Sequence, residues 1–168
     1  THNVQLALAN GSTVASYVSS TTVTGLVTLT GTPNIETQSN LTLSGQITGT
    51  GNLSKSGPAT LTLSGANTLT GGVVVTAGAL RIGNDSALGS GLLTLNTAGA
   101  VVSSDSVTPR TLGNGFTIGA SVTMGDGTNN GALTFGGSGA ITANATVTVL
   151  GAGTMTRTGY SFAGWYSD

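Results

Sequence analysis

The chain of 168 residues has a mass of 16.3 kDa and a net charge of -1, and only 5 % of its side chains are charged. Thr, Gly, Ser and Asn account for 89 of the 168 positions. These residue types disfavour helix interiors, so a helical globular domain is nearly excluded. The mean hydropathy of +0.27 argues against disorder. The near-neutral charge argues against nucleic acid and anionic lipid as partners, because both need a basic surface.

Cysteine is absent, which removes disulfides, thiolate metal sites and cysteine nucleophiles. No apolar stretch approaches the ~20 residues of a membrane-spanning helix, so we expect no membrane span in this segment. We also expect no signal peptide within this segment, which begins at Thr1. If the protein is exported, we therefore expect this chain to be a mature or excised segment.

The first predicted element is a strand at the N-terminus. Val4, Leu6 and Leu8 alternate with polar or small residues, which is typical of a strand with one buried face. Nothing in the first ten residues resembles a cap. We therefore expect this strand to be available for pairing, and we name it as one side of a possible contact between subunits.

A repeated pentapeptide follows. Residues 41–45, Leu-Thr-Leu-Ser-Gly, recur unchanged at 61–65, and looser apolar-polar-apolar copies continue toward the C-terminus. Glycine, asparagine or serine follows nearly every copy and marks a turn. A period near twenty residues with two or three short strands per period predicts an all-β parallel β-solenoid of about eight coils over residues 1–156. The predicted inward residues are Leu41, Leu43, Leu61, Leu63, Val73, Val75, Leu80, Ile82, Leu93, Leu95, Val147 and Val149, with aliphatic anchors between copies at Ile47, Leu53, Leu69, Leu88 and Leu112.

Two other architectures are alternatives to the solenoid. An antiparallel sandwich also has short strands with frequent turns, but sandwiches usually bury an aromatic residue in mid-chain and do not repeat a pentapeptide at a fixed offset. A flexible Gly/Ser/Thr linker would lack the regular aliphatic pairs. The solenoid is favoured over both.

Residues that could carry chemistry are few. The acidic residues are Glu36, Asp85, Asp105, Asp126 and Asp168, and no two lie within ten residues of each other. Asp85 and Asp105 are twenty residues apart and could stack on adjacent coils, where Arg81 and Arg110 would form surface ion pairs with them. We expect no catalytic residue, cofactor site or metal site, and therefore no enzymatic activity. His2 has no partner for metal binding and is expected to be inert at a fraying terminus.

Two further patterns receive structural interpretations. The glycine-rich segment 125–131 supplies a single carboxylate, Asp126, so it is interpreted as a tight turn and not as a calcium loop. Thr-x-Thr pairs occur at 22/24, 28/30, 60/62, 68/70, 146/148 and 154/156. Stacked hydroxyl pairs would suit an ice-binding or carbohydrate-binding solenoid, but the spacing between these copies is irregular. That function is therefore kept as a minor alternative.

Residues 49–100 resemble the autotransporter-associated β-strand repeat, also called the passenger-associated transport repeat. The resemblance is carried by Gly-Thr-Gly at 49–51, Leu-Ser-Lys-Ser-Gly at 53–57, Thr-Leu-Thr-Leu-Ser-Gly at 60–65, Thr-Gly-Gly at 70–72 and Ala-Leu-Gly at 87–89. Pro58-Ala59, where the family usually has Gly, and Leu69, where an aromatic residue is common, depart from it. The resemblance implies a right-handed parallel β-helix in a secreted or surface-exposed bacterial protein.

The last twelve residues, RTGYSFAGWYSD at 157–168, resemble the core of the internalin-type (Listeria–Bacteroides) repeat. They are predicted to be a separate aromatic segment: a terminal cap, a subunit contact or the start of a truncated module. The residues named for a contact between subunits are Val4, Leu6, Leu8, Tyr160, Phe162, Trp165 and Tyr166.

These observations favour a non-enzymatic extracellular solenoid that serves as a stalk or adhesive display rod of a bacterial surface protein. The alternative is a self-assembling subunit of an extracellular filament or sheath. The expected partners are neighbouring repeats, other copies of the chain, and host or matrix surfaces.

Overall fold

Short strands form wherever apolar and polar residues alternate, and glycine-rich corners separate them. The computed structural model describes residues 1–129, 131–142 and 144–150, and this part of the chain contains nineteen strands and no helix. The first sheet consists of β1 (Leu6–Leu8), β4 (Val27–Leu29) and β7 (Ile47–Gly49). The second sheet consists of β2 (Thr13–Ser16), β5 (Asn34–Thr37), β8 (Leu53–Ser56), β10 (Val73–Val75), β12 (Leu93–Leu95), β15 (Phe116–Ile118) and β18 (Gly139–Ile141).

The third sheet consists of β3 (Thr21–Val23), β6 (Leu41–Leu43), β9 (Thr60–Leu63), β11 (Ala79–Ile82), β13 (Ala100–Ser104), β16 (Val122–Met124) and β19 (Val147–Val149). A fourth sheet pairs β14 (Arg110–Leu112) with β17 (Leu133–Phe135). Every pairing between these strands is parallel, and each strand pairs with its counterpart one turn earlier or later. The predicted all-β parallel solenoid is confirmed.

The described residues contain about seven turns, against the about eight coils that the sequence predicted over residues 1–156. Leu41 pairs with Leu61, which matches the twenty-residue repeat. Toward the C-terminus the turns lengthen, and Val122 pairs with Val147, twenty-five residues later. The spacing between paired strands is therefore not constant along the described residues. Residues 151–156, which the prediction also assigned to the solenoid, lie outside the described residues.

The core is a set of aliphatic columns that run between the sheets. Ten of the twelve predicted inward residues, from Leu41 to Leu95, are at most 2 % exposed. The other two, Val147 and Val149, are half-buried on β19, the last described strand of the third sheet. The five predicted anchors, from Ile47 to Leu112, have no exposed surface.

The glycine of the repeated pentapeptide is explained by close contact between turns. A Cβ atom on Gly45 would collide with the carbonyl oxygen of Gly25, and one on Gly65 would collide with that of Gly45. These glycines lie in the corner that follows a strand of the third sheet, β6 for Gly45 and β9 for Gly65. Glycine is required there because the backbones of successive turns approach too closely for any side chain.

The first sheet ends after β7, and a buried asparagine continues the contact between turns. Asn67 is 4 % exposed. Its Oδ1 accepts the backbone N–H of Ile47 at 2.8 Å, and its Nδ2 donates to the carbonyl of Ala87 at 2.6 Å. This side chain thus joins β7 of the third turn to the fourth and fifth turns, which have no strand of the first sheet.

Among the described residues, no helix has the length and apolar character needed to cross a bilayer.

Candidate functional site

The N-terminal end of the solenoid carries the predicted contact strand. β1 covers Leu6–Leu8 and pairs with β4, while Val4 precedes the strand. Val4 is 48 % exposed, Leu6 is half-buried and Leu8 is buried. Within the described residues β1 and β2 each have one neighbouring strand, so each has an edge that no described strand covers.

His2 is not at a frayed end, which corrects the expectation from sequence. Its backbone N–H donates to the carbonyl of Thr22 at 2.7 Å, and its carbonyl accepts the N–H of Thr24 at 2.9 Å. These bonds form a parallel bridge to Val23 that covers the outer edge of β3. Among the described residues, the N-terminal end is therefore covered over the third sheet and open over the first and second sheets.

A pocket of about 190 Å³ lies at this open end. Its walls include Val14 of β2, Val23 of β3 and Leu41 of β6. Val18, in the corner between β2 and β3, is 94 % exposed and also lines the pocket. The Oγ of Ser16 is buried and has no hydrogen-bond partner in the described part of the chain. The end of the rod thus exposes apolar side chains beside a buried hydroxyl that has no partner among the described residues.

The C-terminal half of the predicted contact cannot be compared with the structure. Tyr160, Phe162, Trp165 and Tyr166 lie outside the described residues. A contact between this aromatic segment and the strand of the first turn stays a prediction.

Two ion pairs lie on the outer surface of the later turns. Arg110 contacts Asp105 at 3.0 Å, as expected, whereas Arg81 contacts Asp126 at 2.8 Å. The expected pairing of Arg81 with Asp85 or Asp105 was wrong, because the longer later turns carry Asp126 over the β11 position. Asp85 instead accepts the backbone N–H of Thr111.

Asp126 organises a tight turn. Its Oδ1 accepts the backbone N–H groups of Thr128 and Asn129, and its Oδ2 accepts Arg81 and the Asn129 amide. Burial raises the pKa of this carboxyl, but the hydrogen bonds from Asn129, Thr128 and Arg81 outweigh burial and hold the pKa well below its usual range. The carboxylate oxygens are therefore occupied by protein donors, which supports the interpretation of this segment as a turn.

Among residues 1–129, 131–142 and 144–150, no group of three His, Asp or Glu side chains could hold a metal ion.

Lys55 is a buried residue that the sequence did not point to. It is 0 % exposed and pairs in register with Ile35 on one side and Val75 on the other. Its Nζ donates to the carbonyls of Ser56, Gly57 and Ala77 at 2.8–2.9 Å. The ammonium group therefore ties the corner of the third turn to that of the fourth.

The threonine pattern forms short columns. Thr22, Thr42 and Thr62 pair in register on three successive turns of the third sheet, and Arg81 takes the next position. Thr28 and Thr48 pair in the first sheet, whereas Thr154 and Thr156 lie outside the described residues. Within the described residues, these two columns of hydroxyl groups therefore extend over two or three turns.

Comparison with known proteins gives one family match. Residues 53–82 match the family model described as the passenger-associated-transport-repeat. This segment comprises β8 to β11 and lies within the predicted range 49–100, while the internalin-type resemblance at 157–168 stays a prediction. No curated protein and no solved structure matches the chain. The third and fourth turns of this solenoid therefore carry a passenger-associated transport repeat.

Proposed function

We propose that this chain is a structural rod of an extracellular or surface-exposed bacterial protein, where it serves as a stalk or adhesive display segment. The single observation that carries the proposal is the passenger-associated repeat built into a continuous parallel solenoid. Seven turns at ~4.8 Å each would give a rod about 34 Å long. Its residues are mostly small and neutral, and the buried polar side chains of Lys55 and Asn67 form hydrogen bonds between turns.

The location is tested on cells that produce the natural polypeptide. An antibody raised against residues 53–82 should label intact cells, or the culture medium should contain the antigen. Labelling that requires cell lysis would reject the extracellular assignment. An antibody against a cytoplasmic protein serves as the control for cell integrity.

A second candidate function is self-assembly into a filament, and the open N-terminal end favours it. The second sheet ends at β2 with an edge that no described strand covers, beside the pocket lined by Val14 and Val18. A further parallel strand from another copy would continue the sheet and cover these side chains. The aromatic segment 160–166 is the predicted source of the opposing surface.

Electron microscopy of the purified chain separates the two candidates. Filaments of constant width that disappear in Val18→Asp and Trp165→Ala would establish assembly. Val107→Asp is the matched control, since Val107 is 72 % exposed and does not line the pocket at the N-terminal end. Dispersed particles at high protein concentration would reject self-assembly into a filament and would be consistent with the stalk function.

A further inference from the structure

Five asparagines begin an Asn-x-Ser/Thr tripeptide with no proline in the middle. They are Asn10, Asn40, Asn52, Asn84 and Asn144. This tripeptide is the acceptor sequence for N-linked glycosylation. Because the chain is rich in serine and threonine, this tripeptide is expected to occur often by chance. The exposure and the hydrogen bonds of each asparagine are therefore needed to identify acceptor sites.

The asparagines differ in whether Nδ2 of the side chain donates a hydrogen bond to another part of the protein. Asn67, Asn114 and Asn129 donate from Nδ2 to a protein oxygen, and none of the three begins the tripeptide. Asn10 and Asn40 do begin it, and their Nδ2 atoms have no acceptor in the described part of the chain. The asparagines that hold the fold through their nitrogen are thus distinct from those with an acceptor sequence.

Three acceptor-sequence asparagines are exposed and share one geometry. Oδ1 of Asn40 accepts the backbone N–H of Thr60 at 3.1 Å, and Oδ1 of Asn52 accepts that of Gly72 at 2.7 Å. Oδ1 of Asn10 accepts the backbone N–H of Thr32 at 3.1 Å. A backbone N–H can only donate, so in each case the oxygen faces the next turn and the nitrogen is left for solvent.

This geometry is compatible with a sugar on the nitrogen. An N-glycosidic bond replaces one hydrogen of Nδ2 and leaves the carbonyl oxygen as an acceptor. The bond between turns is therefore retained after modification. The hydroxyl of Thr42, two residues after Asn40, lies on the outward side of β6 and has no hydrogen-bond partner in the described part of the chain. The same is true of Ser54, two residues after Asn52 on β8.

We propose that Asn10, Asn40 and Asn52 are N-glycosylation sites that accept a hexose from a donor activated through a diphosphate. In the reaction, Nδ2 forms a bond to the anomeric carbon of the sugar while the bond from that carbon to the diphosphate oxygen breaks. The electron pair leaves with the diphosphate, and one amide proton passes to a base of the transferase. No oxidant or reductant is needed. The proposal does not depend on the rod function.

The test is synthesis of the full chain together with a soluble N-glycosyltransferase and UDP-glucose, followed by intact-mass measurement and peptide mapping. Hexose should be found on the peptides that contain Asn10, Asn40 and Asn52, and the modified chain should keep its β-type circular dichroism spectrum. Thr42→Val should abolish hexose at Asn40 alone. Thr62→Val is the matched control, because Thr62 occupies the same column one turn later and completes no acceptor tripeptide.

Asn40→Asp provides a second variant that keeps an oxygen for the Thr60 N–H while removing the acceptor nitrogen. It should fold and lose one hexose. The proposal is overturned if the three asparagines carry no hexose, if hexose appears equally on peptides with Asn67 or Asn114, or if the modified chain loses its β structure.

Discussion

A lysine without exposed surface occupies a column of aliphatic residues in the third turn. Lys55 follows Ile35 and precedes Val75 in register, so its aliphatic stem packs like a core residue. Its ammonium group is satisfied by three backbone carbonyls and, within the part of the chain that the structure describes, by no carboxylate. Burial lowers the pKa of Lys55 to about 8. The residue that joins two corners is therefore also one that titrates at moderately alkaline pH.

Stability should rise with pH between about 8 and 10.5 because of Lys55. The folded pKa is below the ordinary lysine pKa of 10.5, so in this window the unfolded chain binds more protons than the folded chain. The gain approaches about 3 kcal/mol at the top of the window if the shift is fully expressed. Denaturant unfolding of the natural chain and Lys55→Met at several pH values measures it. A difference between the two proteins that stays constant from pH 7 to 10.5 would contradict the assignment.

Asp126 should contribute stability that disappears in acid. Its folded pKa lies below that of the unfolded chain, so the contribution is present above about pH 4 and is lost as the pH falls through the folded pKa. Asp126→Asn keeps an oxygen for the turn and removes the charge that faces Arg81, and we expect it to cost about 1 kcal/mol at pH 7. The gap should close on acidification. Asp85→Asn, at an acidic residue with no cation partner among the described side chains, is the control and should show a smaller gap.

At the scale of the element, an asparagine side chain takes the place of a strand. Asn67→Ala would leave the buried N–H of Ile47 and carbonyl of Ala87 without the partners that Asn67 provides. An unsatisfied buried group costs about 1–3 kcal/mol, so we expect a loss of about 2–4 kcal/mol in the free energy of unfolding. Asn96→Ala, at an exposed position, should cost far less. Equal losses in the two variants would show that the bridge between turns contributes little.

The elements that the sequence predicted well are those whose signal is local. The alternation in residues 41–45 and 61–65 was sufficient to predict strands, their inward side and their stacking, because period-two alternation directly reflects one buried face. Lys55 was missed because a charged residue normally faces water, and its three acceptors are backbone carbonyls that leave no mark in the sequence. The Arg81–Asp126 pair spans 45 residues and depends on the lengths of two later turns. The twenty-residue spacing of the repeated pentapeptide does not indicate how long these later turns are.

At the scale of the whole molecule, strand pairing among the described residues joins each turn only to the turns before and after it. Central strands such as β9 and β11 have neighbours on both sides, whereas β2 and β18 end the second sheet among the described strands. Burial follows the same order, since Leu63 of β9 is fully buried while Ile141 of β18 is 49 % exposed. In a linear array of this kind, the end turns can open without the centre.

Hydrogen exchange should therefore show a gradient along the rod. Backbone amides of β9 and β11 should exchange slowest, and those of β2 and β18 fastest among the strands.

Leu63→Asp buries an unpaired charge in the centre and should abolish protection throughout, because its cost of several kcal/mol approaches the total stability of a domain. Val14→Asp places the same charge at the half-buried open end, so protection should be lost only in the first turns. Uniform protection, or equal effects of the two variants, would mean that the solenoid unfolds as one cooperative unit and that its ends are not separately mobile.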